Sequence, residues 1–269
     1  MKTRLLVIDP QNDFCDPESG ALYVPGADAD MDRLAGWIDR HGEALDAIHV
    51  TLDSHHPVDI AHPGFWRDAK GAPPAPFTTI TAAAVRAGEW HTADPAGAER
   101  ALRYLDALEA GGRYPHTIWP PHCLIGSPGH NVWPALFAAL RRWEEARGRV
   151  VDYVLKGQNI WTEHFSAVTA EVPDPEDAAT AQNRALVAAL AQADRVVVAG
   201  EAGSHCVAHT VRDLADALEA VVPDARPAAR LCLLTDAVSP VTGFEAHQAK
   251  FIAELGARGM QTATTGSLD

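Results

Sequence analysis

Three residues that could together carry out nucleophilic hydrolysis lie at or near the ends of separate strand-like runs. Asp9 and Lys156 each directly follow such a run, and Cys206 follows the loop 200–205 behind a third, near the start of a predicted helix. A thiol attacks an amide carbonyl only as its thiolate, so a cysteine nucleophile needs a base or a positive field nearby. We expect Asp9 to act as the base, Lys156 to hold it ionised, and the helix dipole to favour a Cys206 thiolate. Each residue alone has an ordinary structural explanation, and their shared position favours catalysis.

A second group has the residue types of a metal site. Asp53 and His55 form an Asp-x-His step at the end of another strand-like run. Mixed oxygen and nitrogen ligands suit zinc, iron or manganese. Spacing alone leaves the third ligand open, and the competing explanation is a set of surface histidines in a chain that has 13 of them. The candidates for the third ligand are His56, His62, His91, His116 and His122.

The loop before Cys206 is built from small residues. Its sequence is Gly-Glu-Ala-Gly-Ser-His over positions 200–205. Small side chains let backbone N–H groups converge on one point, as an oxyanion hole requires. An ordinary glycine-bearing turn between a strand and a helix would have a similar composition.

The elements that must position these residues alternate along the chain. Nearly continuous apolar runs predict strands buried on both faces, at Arg4–Ile8, Ala47–Leu52, Val151–Leu155, Arg195–Val198 and Arg230–Leu234. Apolar residues at 3.6-residue spacing predict helices at Asp28–Leu45, Ala98–Glu109, Pro134–Glu145, Ala178–Ala191, Val207–Glu219 and Phe244–Ala257. Right-handed crossovers then give an α/β fold, a doubly wound, mainly parallel six-stranded sheet with helices on both faces. Ligands bind such sheets at the carboxyl ends of the strands.

The chain is long enough for one complete core. It has 269 residues, of which 47% are hydrophobic, and no long linker interrupts the alternation of elements. We therefore predict a single domain over residues 1–269. The segment 58–115 is rich in Pro, Gly and Ala, and we expect it to form loops plus one helix, acting as a lid over the site or as an oligomer contact.

Charge and cysteine content narrow the class of partner. The formal net charge is −14 and no basic block interrupts it, which excludes an electrostatic footprint for nucleic acid or an anionic membrane. No apolar stretch approaches the roughly 20 residues that span a bilayer, and the first residues run directly into a strand pattern. Four cysteines are too few for a disulfide framework at this length. We expect a cytoplasmic protein with reduced thiols and a small-molecule substrate.

Together, these motifs resemble the isochorismatase-like cysteine hydrolases, and among them most closely the nicotinamidases. The segments that carry the resemblance are LLVIDPQNDF (5–14), TLDSHHP (51–57), IWPPHCLIGSPG (118–129), VLKG (154–157) and AGEAGSHCV (199–207). The resemblance implies a catalytic triad of Asp9, Lys156 and Cys206. It also selects His122 to join Asp53 and His55 around one divalent metal, with zinc expected and iron or manganese as alternatives.

The resemblance further implies a reaction and a substrate. Nicotinamidases convert nicotinamide to the acid and ammonia through a thioester, in NAD salvage, with the ring nitrogen of the substrate on the metal. Phe14 and Trp119 match the aromatic residues that pack on the ring. A cis peptide bond between Glu201 and Ala202 is implied, with the N–H groups of Ala202 and Cys206 forming the oxyanion hole. Members of the family often associate, so a homo-oligomer is expected.

The chain departs from the family pattern just before the nucleophile. Nicotinamidases resemble G-x-A-T-D-x-C there, whereas this chain has Gly203, Ser204 and His205, so a carboxylate position is lost. The departure keeps two alternatives open. One is a related amidase or carbamoyl hydrolase acting on a non-pyridine amide, and the other is a non-catalytic metal-binding module of the same fold.

Overall fold

A parallel sheet forms the centre of the structure, which is a computed structural model that describes residues 1–222 and 226–268. The strands are β1 (Thr3–Ile8), β2 (Leu45–Asp53), β3 (Trp66–Asp68), β4 (Trp90–Thr92), β5 (Asp152–Lys156), β6 (Arg195–Gly200), β7 (Leu231–Leu234) and β8 (Gln261–Ala263). Six of them form one sheet in the order β5-β2-β1-β6-β7-β8, and every neighbouring pair in it is parallel. The short strands β3 and β4 pair antiparallel outside this sheet. The predicted fold class is confirmed.

Helices cover both faces of the sheet. They are α1 (Asn12–Cys15), α2 (Ala27–His41), α3 (Ala82–Arg86), α4 (Ala98–Gly111), α5 (Pro134–Arg147), α6 (Arg184–Ala191), α7 (Cys206–Val221) and α8 (Glu245–Ala257). Alternation along β1 divides the core, because successive side chains of a strand point to opposite faces. Leu6 and Ile8 pack with residues of α6, α7 and α8, whereas Leu5 and Val7 pack with residues of α2 and α5. This two-sided burial explains why the strands read as continuous apolar runs.

The strand order creates a switch point next to β1. The chain moves outward from β1 through β2 to β5 on one side, and through β6, β7 and β8 on the other. A crevice opens at the carboxyl ends of the strands where the direction reverses, here between β1 and β6. Asp9 follows β1, and the loop that leads to Cys206 follows β6. The topology therefore brings these two side chains to one crevice.

The segment 58–115 has a small core of its own. It contains the β3–β4 hairpin and both α3 and α4, so the expectation of loops plus one helix is wrong. Its buried side chains include Phe65, Trp66, Tyr104 and Leu105. The segment also reaches the sheet, because the hydroxyl of Tyr114 donates to the carbonyl of Ser204 at 2.6 Å.

Two predicted helices have different ends in the structure. Residues 178–180 form only a 3-10 turn, and α6 begins at Arg184, because the side chain of Asn183 caps it by accepting from the amide of Leu186. Helix α2 ends at His41, and Gly42 then packs so closely on Trp143 that a Cβ atom would lie 2.9 Å from its ring.

The sixth strand of the sheet had no predicted position, because the three residues of β8 are too short for a periodic signal. No helix among the described residues has both the length and the apolar content to cross a membrane.

Candidate active site

Asp9, Lys156 and Cys206 meet at the carboxyl ends of β1 and β5 and the start of α7, and we call them the strand-end cluster. The Lys156 Nζ lies 2.8 Å from Asp9 Oδ2 and 3.7 Å from Cys206 Sγ. The Cys206 Sγ also lies within 4.8 Å of a carboxylate oxygen of Asp9. All three residues are buried. The structure thus brings together the three residues that the sequence singled out for nucleophilic chemistry.

Burial and neighbouring charges act in opposite directions on the pKa values of this cluster. Burial raises the pKa of the Cys206 thiol well above its ordinary value, and the nearby charge of Lys156 only partly opposes this. Burial also raises the pKa of Asp9. For Lys156, burial alone would lower the pKa, but the carboxylates of Asp53 and Asp9 raise it well above the usual range. Burial thus opposes the thiolate that the helix dipole favours, whereas the positive charge of Lys156 supports it.

Two side chains that the sequence did not single out hold the strand ends in place. The Thr51 hydroxyl donates to Asp9 Oδ1 at 2.5 Å and accepts from the Asp9 amide at 3.0 Å. The Gln11 amide group pairs with the backbone of Asp53, donating to its carbonyl and accepting from its N–H, each at 2.7 Å. These bonds fix the carboxylates of β1 and β2 relative to each other.

The loop before Cys206 turns sharply away from β6. Gly200 has φ of +118°, and a Cβ atom there would lie 2.0 Å from the carbonyl oxygen of Ile8, so only glycine fits beside β1. The peptide bond between Glu201 and Ala202 is cis, as the resemblance implied. Cys206 is the first residue of α7, where amide groups lack intrahelical acceptors. Ala202 and Cys206 therefore both lie at the turn, beside the thiol.

A largely apolar cavity leads to the thiol. Phe14, Trp119 and Phe165 contribute aromatic rings to its wall. Asp53, His122, Glu163, His205 and Cys206 also line it. An apolar cavity with a few polar groups at one end is the usual form of a small-molecule site. Phe14 and Trp119, the two residues expected to contact substrate, both lie in its wall.

Three buried histidines form a second group at the same cavity, and we call them the histidine cluster. They are His55, His62 and His122, and one ring nitrogen of each lies within 4.8 Å of the others. Asp53 joins this cluster to the strand-end cluster. Its Oδ2 lies 3.1 Å from His55 Nε2 and 3.4 Å from His122 Nε2, whereas its Oδ1 lies 3.0 Å from Lys156 Nζ.

Each histidine has an oxygen acceptor for its Nδ1–H group. The acceptors are the Asp59 carboxylate for His55 at 3.0 Å, the His56 carbonyl for His62 at 3.2 Å and the Pro120 carbonyl for His122 at 2.9 Å. A ring that is neutral and donates from Nδ1 keeps the lone pair of its Nε2 for a metal ion. Metal-binding histidines commonly show this second interaction, which fixes the tautomer and the ring orientation.

The charge balance of the site also fits a cation. Lys156 is one buried ammonium between the carboxylates of Asp9 and Asp53, which leaves a negative charge to be compensated. Burial would lower the pKa of His55, but Asp53 and Asp59 raise it well above its usual value, so a cation is favoured at this ring. The pKa of His62 is lowered to about 3 by burial and by the other two histidines, which keeps its ring neutral. The donor set can thus hold one divalent metal.

The structure separates the candidate ligands that the sequence left open. His62 and His122 lie in the cluster, whereas His56 and His91 are exposed. His116 is buried, but its Nε2 lies 3.0 Å from the carbonyl of Ile60. The resemblance selects His122 from these candidates, and the structure places His62 beside it in the same cluster.

Asp59 and Glu163 were missed altogether. Asp59 lies four residues after His55, and it contacts that ring only because of the turn at residues 57–62. Glu163 lies in the long connection after β5 and lines the cavity with one carboxylate oxygen, Oε2, that has no hydrogen-bond partner among the described residues. A carboxylate seven residues after Lys156 was the available signal, but nothing in its spacing pointed to the cavity.

Comparison with known proteins gives the same assignment as the motifs. The chain is 29% identical to the nicotinamidase of Escherichia coli K12 over 214 residues, which cover 78% of this chain and 74% of that protein. This chain is a relative of the nicotinamidases. The resemblance seen in the motifs is therefore confirmed, although no protein-family model matches the chain.

Solved structures of nicotinamidases share the fold. An Acinetobacter baumanii nicotinamidase and pyrazinamidase superposes with a TM-score of 0.63 at 18% identity, covering 98% of this chain and 97% of that one. The yeast nicotinamidase superposes with a TM-score of 0.63 at 20% identity, covering 97% of this chain and 99% of that one. A Pyrococcus horikoshii pyrazinamidase in complex with zinc superposes with a TM-score of 0.55 at 18% identity, covering 98% of this chain and 99% of that one. At these identities the likeness concerns the fold alone.

Proposed function

We propose that this nicotinamidase relative hydrolyses nicotinamide to the acid and ammonia through a thioester on Cys206. The observation that carries the proposal is the position of the Cys206 thiol in the wall of the aromatic cavity. Its Sγ lies 3.7 Å from Lys156 Nζ and within 4.8 Å of a carboxylate oxygen of Asp9, which is itself paired with Lys156 at 2.8 Å. A nucleophile, a base and a fixed cation beside an aromatic pocket are suited to acyl transfer. Similarity to the Escherichia coli nicotinamidase supports the choice of amide.

In the first half of the reaction, Asp9 takes the thiol proton as Sγ bonds to the carboxamide carbon. The developing oxyanion would be stabilised by the N–H groups of Ala202 and Cys206. Asp9 then gives its proton to the departing nitrogen, the C–N bond breaks, and ammonia leaves with a thioester behind it. Lys156 stays protonated throughout and stabilises Asp9 whenever that carboxylate is ionised.

In the second half, Asp9 takes a proton from water as the water oxygen bonds to the thioester carbon. The C–S bond then breaks, the acid leaves, and the proton held by Asp9 returns to Cys206. The net reaction is amide plus water to acid plus ammonia. Phe14 and Trp119 would pack on the ring of the substrate in both halves.

Asp53, His55 and His122 would hold the divalent metal, and the cluster geometry adds His62 to this set. We propose zinc, because tetrahedral sites rich in histidine with one carboxylate suit it, with iron or manganese as the alternatives. The ion would supply a Lewis-acid position beside the substrate ring or a water molecule.

The deciding experiment measures ammonia release from nicotinamide by the wild type, Cys206→Ala and Cys232→Ala. Cys232 is a second buried cysteine, on β7, and provides the matched control. We expect release by the wild type and by Cys232→Ala, and none by Cys206→Ala. Release that survives Cys206→Ala would exclude the thioester route. Chelation followed by addition of zinc, iron(II) or manganese(II) identifies the ion that restores activity.

A second substrate distinguishes a nicotinamidase from the related amidase and from the non-catalytic module. Benzamide has the same carboxamide but lacks the ring nitrogen, so a nicotinamidase should prefer nicotinamide strongly. Equal turnover of both, or turnover of other amides alone, would support the related amidase acting on a non-pyridine amide. Bound metal without turnover of any amide would support the non-catalytic module.

The cellular setting is also a proposal. We propose a cytoplasmic enzyme of NAD salvage that forms a homo-oligomer. The edge strand β5 exposes Tyr153 and Leu155 by 40% and 50%, and Val150 just before it by 81%, which suits an interface with a second copy. Light scattering of the purified protein measures the oligomeric state.

A further inference from the structure

The loop before Cys206 is fixed by a carboxyl group at a position that the family pattern G-x-A-T-D-x-C leaves variable. This group is Glu201, which follows β6 and is fully buried. Its side chain points away from the substrate cavity, towards α2 and the segment 235–241 after β7. Neither the mechanism nor the metal site uses it.

Four hydrogen bonds connect this loop to the segment after β7, and the first runs from the Gly200 amide to the carbonyl of Ala237 at 3.0 Å. The other three lie closer to Cys206. The amide of Ser239 donates to Glu201 Oε2 at 3.1 Å, the amide of Gly203 donates to the carbonyl of Ser239 at 2.7 Å, and the amide of Val241 donates to the Ser204 hydroxyl at 3.0 Å. The residues between them include Ala202. The position of the Ala202 amide therefore depends on this connection.

Asp30 of α2 completes the arrangement. Its Oδ2 accepts from the Ser239 hydroxyl at 2.6 Å and its Oδ1 pairs with Arg33, so Ser239 links Asp30 to Glu201, whose Oε2 accepts from the Ser239 amide. Within the described part of the chain, no N–H or O–H group donates to Glu201 Oε1, which is buried. Two neighbouring carboxyl groups can share a hydrogen bond only if one of them carries a proton. Since Arg33 pairs with Asp30, a shared proton would belong on Glu201 Oε1.

We propose that Glu201 is a positioning residue that, as a neutral carboxylic acid, bridges Ser239 and Asp30 and thereby fixes the oxyanion-binding turn at Ala202 and Cys206. The inference rests on the proposed amidase function for its catalytic consequence. Burial, and next the charge of Asp30, raise the pKa of Glu201 well above its ordinary value, in agreement with the proton on Oε1. The other charged or titratable groups that interact with it are Arg33 on α2 and Cys15 at the end of α1.

Two substitutions of similar size separate positioning from simple packing. Glu201→Gln keeps both interactions, because its amide group can donate to Asp30 while its oxygen accepts from Ser239. Glu201→Leu keeps the volume but removes both. We expect kcat on nicotinamide to stay within about twofold of the wild type for the glutamine variant. For the leucine variant we expect it to fall roughly 10- to 100-fold with little change in KM, which is the effect of a small displacement at the reacting centre.

An aldehyde analogue of the substrate tests the oxyanion turn directly. The Cys206 sulfur adds to its carbonyl carbon, the carbonyl oxygen becomes the oxyanion, and Asp9 accepts the thiol proton, so the adduct imitates the tetrahedral intermediate. Affinity for pyridine-3-carbaldehyde should fall in Glu201→Leu by the same factor as kcat and should be kept in Glu201→Gln. Unchanged aldehyde affinity in the leucine variant would overturn the proposal.

The pH dependence of stability tests the proton without any turnover. An acid whose pKa is raised in the folded protein contributes stability at low pH that is lost as pH rises through the folded pKa. Glu201→Gln cannot lose this proton, so its Tm should exceed that of the wild type increasingly towards alkaline pH. Glu144→Gln is the control, because Glu144 also accepts a backbone N–H bond, from Val151 at 2.7 Å, far from the loop. Parallel Tm curves for wild type and Glu201→Gln would overturn the neutral acid, whatever the substrate of the enzyme.

Discussion

The strand-end cluster and the histidine cluster each contribute one residue to the wall of the same cavity, Cys206 and His122, but different parts of the fold position them. Asp9 directly follows β1, Lys156 is the last residue of β5, and Cys206 begins the helix behind a third strand. Their relative positions are therefore set by hydrogen-bonded strand register. His62 and His122, in contrast, lie in connections outside the sheet, and only His55 lies close to a strand end. Strand topology thus builds the nucleophilic site, whereas loop packing builds the metal site.

Asp53 makes the two clusters interdependent. One of its oxygens faces Lys156 and the other faces the histidine rings. Burial alone would raise its pKa, but the charges of His55 and Lys156 hold it well below the ordinary value. A change in one cluster should therefore reach the other only through this carboxylate, and substitutions away from it should affect one cluster at a time.

The substitution expected to affect one cluster most strongly while sparing the other is Asp9→Asn. The amide cannot take the thiol proton, so turnover of nicotinamide should fall by about 10³- to 10⁴-fold. Metal content should stay that of the wild type, because Asp9 does not touch the histidine cluster. Ammonia release and elemental analysis of the same preparation measure both. Asp177→Asn is the control, because among the described residues the Asp177 carboxylate accepts only from the Ala179 amide and the Asn159 side chain and contacts neither cluster. Loss of metal together with activity would mean that the two clusters are not separable at Asp9.

Lys156→Met should have the next largest effect, on stability. It removes the cation between two buried carboxylates while it keeps an unbranched side chain. Leaving buried charges unpaired typically costs about 3–5 kcal/mol, and we expect the free energy of unfolding to fall by that amount. Urea denaturation followed by circular dichroism measures the change. Lys250→Met, at an exposed lysine on α8, should change the free energy of unfolding by less than about 0.5 kcal/mol. Equal effects at both positions would contradict the buried pairing.

A smaller effect, confined to the other cluster, is expected for His62→Ala. Loss of one supporting histidine should weaken metal affinity by at least about tenfold. Added metal should then restore turnover, because the strand-end cluster is intact. Titration with zinc after chelation measures the affinity, and His91→Ala, at an exposed histidine of the same segment, is the control. Unchanged affinity in His62→Ala would limit the ligands to Asp53, His55 and His122.

The same contrast explains how much of the molecule the sequence could predict. Continuous apolar runs indicated five strands of the parallel sheet, and the rule that ligands bind at carboxyl ends then pointed to Asp9, Lys156 and Cys206. No comparable rule locates a residue within a long connection. The roles of His62, Asp59 and Glu163 depend on how the segments 54–62 and 157–165 fold back onto the sheet, and these segments lack regular periodicity.

The differences between the predicted and the observed helices and strands have the same origin. The 3.6-residue spacing of apolar residues predicts a helix that begins at Ala178. The side chains of Asp177 and Asn183, however, each bond to backbone amides and divide the segment into a turn and a later helix. The segment 58–115 was expected to hold one helix, because its Pro and Gly content hides the short helix α3 and the β3–β4 hairpin. Local hydrogen bonds and short elements decided these regions, and neither leaves a periodic pattern.

The smallest effect is expected for Glu163→Gln, at the cavity wall between the two clusters. Burial raises the pKa of Glu163 to about 8, so the folded protein holds a proton that the unfolded chain releases near pH 4.5. The stability that this proton contributes is fully present below about pH 4.5 and is lost as pH rises through about 8. Glutamine has no proton to lose. Its Tm should therefore match that of the wild type at pH 4.5 and exceed it by a few degrees at pH 9. Scanning calorimetry of both proteins across this range measures the difference, with the exposed Glu176→Gln as control. A constant Tm difference would mean that Glu163 is ionised in the folded protein, and that its charge is balanced by the histidine cluster.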